Sequence, residues 1–322
     1  MRERDIIANY FVPLASDEPG AFSLRDDAAA LDVPVGQQLV LTTDSVIEGV
    51  HVLPHASPQQ FAQKLMRRNL SDLAAMGATP WRYLLNLRAP RETPNAWFAA
   101  FAQTLQAEQQ QFGLVLAGGD TTLGGDHVHL TLTALGLTDA PALTRRGANA
   151  GDAIFVSGSI GDAALGLTML QDDASADGPW VERYHRPQPR LALGKALRGK
   201  ATSAMDCSDG LWLDLQRLCD ASGVGARVEL EQVPISDATR QLLDAAPDAD
   251  SRSALWQMLV TGGDDYELIF TAPAEQAQAL QEMARFTGTA ITAIGHITEE
   301  LHLRYRDARG EHAFSMQSGW EY

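Results

Sequence analysis

Short clusters that join aspartate to glycine, serine or threonine recur along the chain, and most of them follow an apolar run. They read Asp26-Asp27, Thr42-Thr43-Asp44, Ser71-Asp72, Gly118-Gly119-Asp120, Gly161-Asp162, Asp206-Cys207-Ser208-Asp209 and Gly262-Gly263-Asp264-Asp265. Carboxylates that converge raise one another's pKa unless cations lie between them. Hard divalent ions such as Mg²⁺ take oxygen ligands and usually share the remaining positions with substrate phosphates. The clusters therefore predict a magnesium-dependent enzyme that handles phosphate groups.

Each cluster also has a purely structural interpretation, because aspartate accepts backbone hydrogen bonds at turns and helix starts. Ser208-Asp209-Gly210, ahead of a leucine-rich segment, is typical of a helix N-cap. The functional interpretation rests on the shared placement of the clusters at the ends of predicted strands, where open α/β sheets bind their ligands.

The elements that position these aspartates are predicted from hydrophobic periodicity. Residues 38–43 form a short buried strand that delivers Thr42, Thr43 and Asp44 at its carboxyl end. Residues 114–117 form another strand, which ends on Gly119 and Asp120.

Two helices follow the same periodicity in the first half of the chain. One begins at Ser57-Pro58 and ends at Gly77, with Asp72 on its inward face. The other begins near Pro94, and its stretch 108–111 is expected to face solvent.

The chain has 322 residues, a length above that at which a single hydrophobic core usually suffices. Because 45% of the residues are hydrophobic, the chain can bury more than one core. The proline- and glycine-containing stretch 138–151 indicates a boundary, so we expect two α/β domains, 1–140 and 141–322.

The formal net charge of -16 and the pI of about 4.8 argue against binding to nucleic acid or to an anionic membrane surface. No apolar run approaches the roughly 20 residues of a membrane span, and the N-terminus lacks an apolar leader. Cys207 and Cys219 lie too far apart for a Cys-x-x-Cys motif. We expect a cytoplasmic protein in a reducing environment.

Several phosphate and metal motifs are missing from the sequence. It contains neither a Walker P-loop nor the His-Arg-Asp and Asp-Phe-Gly sequences of protein kinases. His51 and His55 have the spacing of a zinc helix, but the zincin glutamate is absent and Pro54 interrupts the helix. His51 is better interpreted as a polar group available to a substrate.

Taken together, the clusters resemble the thiamine-monophosphate kinase family, within the superfamily of aminoimidazole ribonucleotide synthetase and selenophosphate synthetase. The resemblance covers nearly the whole chain. It rests on the clusters above and on Glu48-Gly49-Val50-His51, Asn69 to Ala78, Leu143 to Ala148, His185 to Arg190, Asp206 to Leu211 and Gly262 to Leu268. The family usually has glycine where this chain has Arg25, and glutamate where it has Asp264.

The resemblance implies an aminoimidazole ribonucleotide synthetase-like, two-domain α/β architecture with mixed sheets flanked by helices. Residues 1–140 would bind Mg-ATP and pair in a homodimer, and residues 141–322 would complete the active-site cleft. The implied reaction is a phosphotransfer from ATP to thiamine monophosphate, which gives thiamine diphosphate and ADP.

The resemblance also implies roles for individual residues. The implied magnesium ligands are Asp27, Thr42, Thr43, Asp44, Asp72, Asp120, Asp206 and Asp209. The implied catalytic residues are Asp44, Asp72, Asp120 and Asp209. The nucleotide would be held by Gly119, Asp120, Arg145 and Ser208, and the thiamine substrate by His51, Asp264 and Trp320.

Two alternatives stay open on the sequence. One is another ATP-dependent enzyme of the superfamily, such as a formylglycinamidine ribonucleotide cyclase. The other is a non-catalytic protein that binds nucleotide or metal. Selenophosphate synthesis is disfavoured because no cysteine precedes Cys207.

Overall fold

The computed structural model describes residues 2–313, and the chain divides into two compact units. The first unit consists of the residues up to Leu73 together with Ala78–Pro141, and the second of Ala74–Gly77 and the residues from Ala142 on. Each unit combines one mixed sheet with helices, which confirms the predicted α/β class.

The first part of the chain forms a sheet with long helices between its strands. Its elements are α1 (Glu3–Ile6), β1 (Gln38–Ile47), α2 (Pro58–Ala75), β2 (Thr79–Ala89), α3 (Asn95–Phe112), β3 (Val115–Leu123) and β4 (His129–Thr138). Short π and 3-10 turns at Ile7–Phe11, Val12–Ala15 and Pro19–Leu24 precede β1. Ser57 and Gln60 cap the start of α2 reciprocally, as expected for a predicted helix start at this point.

The four-stranded sheet has the order β1-β4-β2-β3. β4 pairs antiparallel with both β1 and β2, whereas β2 and β3 are parallel. One set of alternating side chains on these strands is buried, including Tyr83, Leu85, Leu130 and Leu132. The alternation places Leu41 and Leu84 among the exposed side chains instead.

β1 and β3 are longer than the sequence predicted. β1 continues through Thr42, Thr43 and Asp44, because β4 pairs with it along its whole length. β3 likewise continues through Asp120, which pairs with Asn86 of β2. The expectation that both strands end at these aspartates is therefore wrong, and the carboxylates lie within strands.

The prediction that residues 108–111 of α3 face solvent is wrong for Glu108, which is 2% exposed. Arg67 of α2 donates from Nε to Glu108 Oε2 at 2.8 Å and from Nη2 to Oε1 at 3.0 Å. A buried charge is tolerated only when it is paired in this way.

The second part of the chain builds the larger sheet. Its elements are β5 (Ala153–Ser157), α4 (Asp162–Asp172), α5 (Pro179–His185), α6 (Leu191–Leu197), β6 (Ser203–Cys207), α7 (Leu211–Ser222), β7 (Gly225–Glu229), α8 (Asp237–Asp244), α9 (Ala249–Thr261), β8 (Glu267–Ala272), α10 (Ala277–Thr287), β9 (Ile291–Thr298), β10 (Leu303–Asp307) and β11 (Gly310–Ala313). Short 3-10 turns lie at Leu230–Gln232 and Ala274–Gln276.

This seven-stranded sheet has the order β11-β10-β7-β9-β5-β8-β6 and carries a core on each face. Ile154 and Val156 belong to one core with α7, whereas Phe155, between them in sequence, belongs to the other with α6 and α10. β10 and β7 are parallel, and the other neighbours are antiparallel. Among residues 2–313, none of the helices has the length and apolar character that a membrane crossing requires.

Candidate active site

β1 and α2 bring three of the predicted site residues close together. Thr42 Oγ1 donates a hydrogen bond to Asp72 Oδ2 at 2.5 Å. One turn earlier on α2, Arg68 donates from Nε to Asp44 Oδ2 at 3.2 Å and from Nη1 to the Ser45 carbonyl oxygen at 3.2 Å. The Asp44 carboxylate is 34% exposed, so this ion pair is accessible to a ligand.

The sheet does not bring Asp120 next to Asp44. Asp44 pairs with Leu132 of β4, Leu132 with Leu85 of β2, and Leu85 with Gly119 of β3. Two strands therefore separate the two carboxylates, and neighbouring strands are about 4.8 Å apart. Asp120 Oδ2 accepts a hydrogen bond from Thr122 Oγ1 at 3.3 Å. Thr43, next to Asp44, donates its hydroxyl proton to the Leu132 carbonyl oxygen at 3.2 Å.

Gly119 has a structural reason to be glycine. Its φ is +148°, and a Cβ built there would lie 1.8 Å from the Leu85 carbonyl oxygen of the neighbouring strand. Any other residue would collide with the β2 backbone, so the pairing of β2 with β3 requires this glycine.

His51 and Asp27 lie elsewhere in the first unit. The Ile47 amide donates to His51 Nδ1 at 3.2 Å, which makes Nδ1 the unprotonated ring nitrogen and leaves the proton of neutral His51 on Nε2. Asp27 is exposed and follows Phe22, Ser23 and Leu24, whose φ values are all positive. Such a run of non-glycine residues is strained.

In the second unit, β6 carries Asp206 and leads directly into the loop of Ser208 and Asp209. Asp206 is buried at 3% exposure and pairs with Leu268 of β8. The amides of Ser208 and Asp209 both donate to Asp214 Oδ2 at 2.9 Å. The helix start at Gly210 has no side-chain cap. The N-cap interpretation of Ser208-Asp209-Gly210 is therefore wrong, because Asp214 reaches back from within α7.

Asp214 lies at the centre of a charged cluster. Burial raises the pKa of its carboxyl to about 6, and the charge of Asp209 acts in the same direction, while the Asp209 amide and Arg217 oppose the rise. Arg217 Nη1 donates to Asp214 Oδ1 at 2.8 Å and also contacts Asp209. Arg217 therefore links Asp214, which accepts hydrogen bonds from the loop amides, to Asp209, which lies in that loop.

The segment 262–266 lies against this loop through its backbone. The Asp264 amide donates to the Ser208 carbonyl oxygen at 2.8 Å, and the Tyr266 amide to the Cys207 carbonyl oxygen at 2.8 Å. Asp264 and Tyr266 have φ values of +70° and +52°, a region that side chains other than glycine seldom adopt. The fold thus holds Asp264 close in space to Ser208 and Asp209.

Two buried carboxylates beside Asp264 escaped the sequence-based assignment of site residues. Asp265 accepts the Gly161 amide on both carboxylate oxygens, at 3.0 and 2.9 Å. Burial raises the pKa of Asp265 well above its ordinary value. Glu267 is fully buried and contacts three side chains, Ser157, Arg183 and Arg190. The available signal was the adjacency of both carboxylates to Asp264 and the arginine-rich stretch that ends at Arg190.

The remaining predicted site residues are Arg145 and Trp320. Arg145 is exposed, and its carbonyl oxygen accepts a hydrogen bond from Ser222 Oγ at 3.0 Å. Trp320 lies outside the described residues. Within residues 2–313, no group of three or more histidine, cysteine, aspartate or glutamate side chains is arranged to hold a metal ion.

Comparison with known proteins shows the family to which this chain belongs. A thiamine-monophosphate kinase of Haemophilus influenzae is 39% identical over 306 residues, which is 93% of this chain and 90% of that protein. This chain belongs to the thiamine-monophosphate kinase family. Its residues 25–138 match the family described as AIR synthase related protein, N-terminal domain, and residues 149–307 the corresponding C-terminal domain. The family resemblance stated from the sequence is thereby confirmed.

Solved structures of the kinase family have the same fold. A thiamine-monophosphate kinase from Stenotrophomonas maltophilia matches with a TM-score of 0.78 and 36% identity, covering 88% of this chain and 89% of that one. The structure of AaThiL complexed with AMPPCP and TMP matches with a TM-score of 0.77 and 25% identity, covering 99% and 98%. The two-domain architecture predicted from the sequence is confirmed.

Proposed function

We propose that this chain transfers the γ-phosphoryl group of ATP to thiamine monophosphate, giving thiamine diphosphate and ADP. The observation that carries the proposal is the 39% identity to a thiamine-monophosphate kinase over 93% of the chain. The complex of AaThiL with AMPPCP and TMP supports the choice of the two substrates. Because ATP is a cytoplasmic metabolite, we also propose a cytoplasmic location.

Magnesium is the cation we propose for the reaction. The candidate ligands Asp27, Thr42, Thr43, Asp44, Asp72, Asp120, Asp206 and Asp209 offer carboxylate and hydroxyl oxygens, which are the donors that Mg²⁺ prefers. The grouping of Thr42, Asp44 and Asp72 provides an incomplete ligand set. That fits an ion which completes its coordination with water and substrate phosphate. Bound there, the ion would neutralise charge on the transferred phosphoryl group.

The main role of the protein's side chains in this reaction is to position the reactants. A phosphate monoester has a second pKa of about 6, so its oxygen is largely ionised at neutral pH and needs no general base. Phosphoryl transfer passes through a loose transition state in which charge spreads over the equatorial oxygens. We therefore propose direct in-line transfer, in which Asp44, Asp72, Asp120 and Asp209 act through the metal. Inversion of configuration at a chiral γ-phosphorus would support it, and retention would contradict it.

The substrate contacts are proposals carried over from the family. Gly119, Asp120, Arg145 and Ser208 would hold the nucleotide, and His51, Asp264 and Trp320 the thiamine. For His51, the bond from the Ile47 amide to Nδ1 leaves the Nε2 proton as the donor to a substrate. We assign Mg-ATP binding and dimer formation to residues 1–140, and completion of the site to residues 141–322.

The homodimer has support in the first unit. Leu39, Leu41 and Leu84 are 37%, 59% and 36% exposed. The strand register places all three on one face of the sheet, with β4 between Leu84 and the other two. Exposed apolar side chains on one face mark contact surfaces. We propose that a second copy of this chain covers them, and sedimentation measures the mass directly.

The decisive experiment measures ADP and thiamine diphosphate together. The chain is incubated with ATP, Mg²⁺ and thiamine monophosphate, and the products are separated by chromatography, with controls that lack the acceptor or the metal. We expect ADP and thiamine diphosphate to form in equal amounts, and we expect neither to form without Mg²⁺. Formation of ADP without thiamine diphosphate would contradict the proposal that thiamine monophosphate is the acceptor. The absence of ADP would contradict the proposed kinase activity.

A further inference from the structure

We propose that the hydroxyl of Tyr266 is a positioning group that orients the Asp264 carboxylate toward the thiamine substrate. This inference rests on the function proposed above, in which Asp264 contacts the acceptor. It adds a residue that the sequence-based assignment left without a role.

Tyr266 and Asp264 are close in sequence, and their side chains are joined by a hydrogen bond. Tyr266 Oη donates to Asp264 Oδ1 at 3.0 Å, although only one residue separates them. The positive φ at both positions turns the segment back on itself and allows the ring to reach its neighbour. Backbone in this region stores strain that the surrounding structure must hold, and such strain is common at ligand sites.

The backbone on both sides of the contact is fixed. Asp265, between the two residues, is buried and accepts the Gly161 amide on both oxygens. The amides of Asp264 and Tyr266 donate to the neighbouring loop at Ser208 and Cys207. The backbone of this segment is therefore held in place, and the Tyr266 hydroxyl acts on the rotation of the Asp264 side chain.

Tyr266 itself is a rigid donor. It is 2% exposed, so its ring has a single packed orientation. A hydrogen bond on Oδ1 restricts the rotation of the carboxylate and therefore the directions that Oδ2 can take. The thiazolium ring of thiamine monophosphate carries a positive charge, although the phosphate of the same molecule is anionic. A carboxylate that is already restricted in rotation binds that ring with a smaller loss of side-chain freedom.

The test begins with Tyr266→Phe, which removes the hydroxyl and retains the ring. We expect the KM for thiamine monophosphate to rise about tenfold, a change in the range of one hydrogen bond to a charged group, while the KM for ATP stays within about twofold. An unfolded fraction would lower kcat without changing either KM, so the comparison survives a partial loss of fold. Equal rises in both KM values, or no rise, would overturn the proposal.

A matched control exists in the first unit. Tyr83 is fully buried and its hydroxyl donates to Gln109 Oε1 at 2.7 Å. Tyr83→Phe removes the same group with a similar hydrogen bond, and we expect it to leave both KM values unchanged. A tenfold rise in the acceptor KM of this control would show that loss of any buried tyrosine hydroxyl has the effect, and would overturn the proposal.

A double-mutant cycle separates positioning from general packing. In an Asp264→Ala background there is no carboxylate to orient, so adding Tyr266→Phe should not raise the acceptor KM further. If the two effects multiply instead, Tyr266 acts independently of Asp264 and the inference is wrong. A wild-type chain that makes no thiamine diphosphate would contradict the proposed function, whereas an active wild type with an unaffected Tyr266→Phe would contradict this inference alone.

Discussion

Arg190 holds Glu267 with two parallel hydrogen bonds, Nε to Oε2 at 2.6 Å and Nη2 to Oε1 at 2.5 Å. Arg183 adds a bond to Oε1 at 2.8 Å and the Ser157 hydroxyl one to Oε2 at 2.6 Å. Arg183 also donates to the carbonyl oxygen of Asp265 at 3.1 Å. The segment that carries Asp264 is therefore anchored immediately on its C-terminal side by a buried ionic group.

Replacing Glu267 by alanine should destabilise the second unit strongly. The change leaves two arginines, 16% and 21% exposed, without their shared carboxylate, and breaking a buried ion pair costs about 3–5 kcal/mol. Urea unfolding followed by circular dichroism measures the loss. Glu182→Ala is the control, because its partner Arg186 lies 3.5 Å away on the surface and such pairs contribute about 0–1 kcal/mol. Similar losses in both variants would contradict the buried network.

Removing one of the two carboxylates at β1 and α2 should abolish turnover without unfolding the chain. Asp44→Asn and Asp72→Asn each keep the shape of the side chain and delete its charge, so we expect kcat to fall by at least about a hundredfold at ordinary Mg²⁺. Asp126→Asn, at an exposed position in the same unit, should behave as wild type. Steady-state kinetics with a circular dichroism check decides the matter, and preserved turnover would refute the ligand assignment.

Trp320→Ala should raise the KM for thiamine monophosphate more than the KM for ATP. Stacking of an indole ring on the cationic thiamine contributes roughly 0.5–2 kcal/mol, so a several-fold effect on the acceptor alone is expected. The measurement varies each substrate at saturating levels of the other. Equal changes in both KM values would contradict a contact specific to the thiamine, and a lower kcat with unchanged KM values would indicate a stability role for this residue instead.

Neither cysteine should react with thiol reagents in the folded protein. Cys207 and Cys219 are 0% exposed. Burial raises the pKa of the Cys207 thiol well above its ordinary value, and burial together with Asp220 raises that of Cys219 to about 12. The reactive species is the thiolate. Titration with a disulfide reagent at pH 8 should label no thiol until denaturant is added, and rapid labelling of the native chain would contradict this.

The sequence predicted elements whose signals are local. The start of α2 follows from Ser57, whose hydroxyl accepts a hydrogen bond from the Gln60 amide. The leucine-rich segment after Gly210 forms α7, which buries Leu211, Leu215 and Leu218 at helical spacing. Both features depend on residues within a few positions of one another, so periodicity and capping rules suffice.

Features that depend on distant partners could not be obtained in this way. Glu108 looked exposed because its partner Arg67 is 41 residues away and on another helix. Asp44 and Asp120 were expected at strand ends, but β4 and β2 extend the pairing past them. Tertiary contacts decided each case.

The close approach of Gly119 to the Leu85 carbonyl oxygen bears on how sequence variation in this family should be interpreted. Any chain that builds the same sheet must retain glycine at that position, whatever ligand the sheet binds. Invariance of Gly119 among relatives would therefore carry no information about nucleotide recognition. Asp120, the next residue, is exposed and has no such backbone requirement. Selection for the ligand can be detected at Asp120, whereas Gly119 reports selection for the sheet.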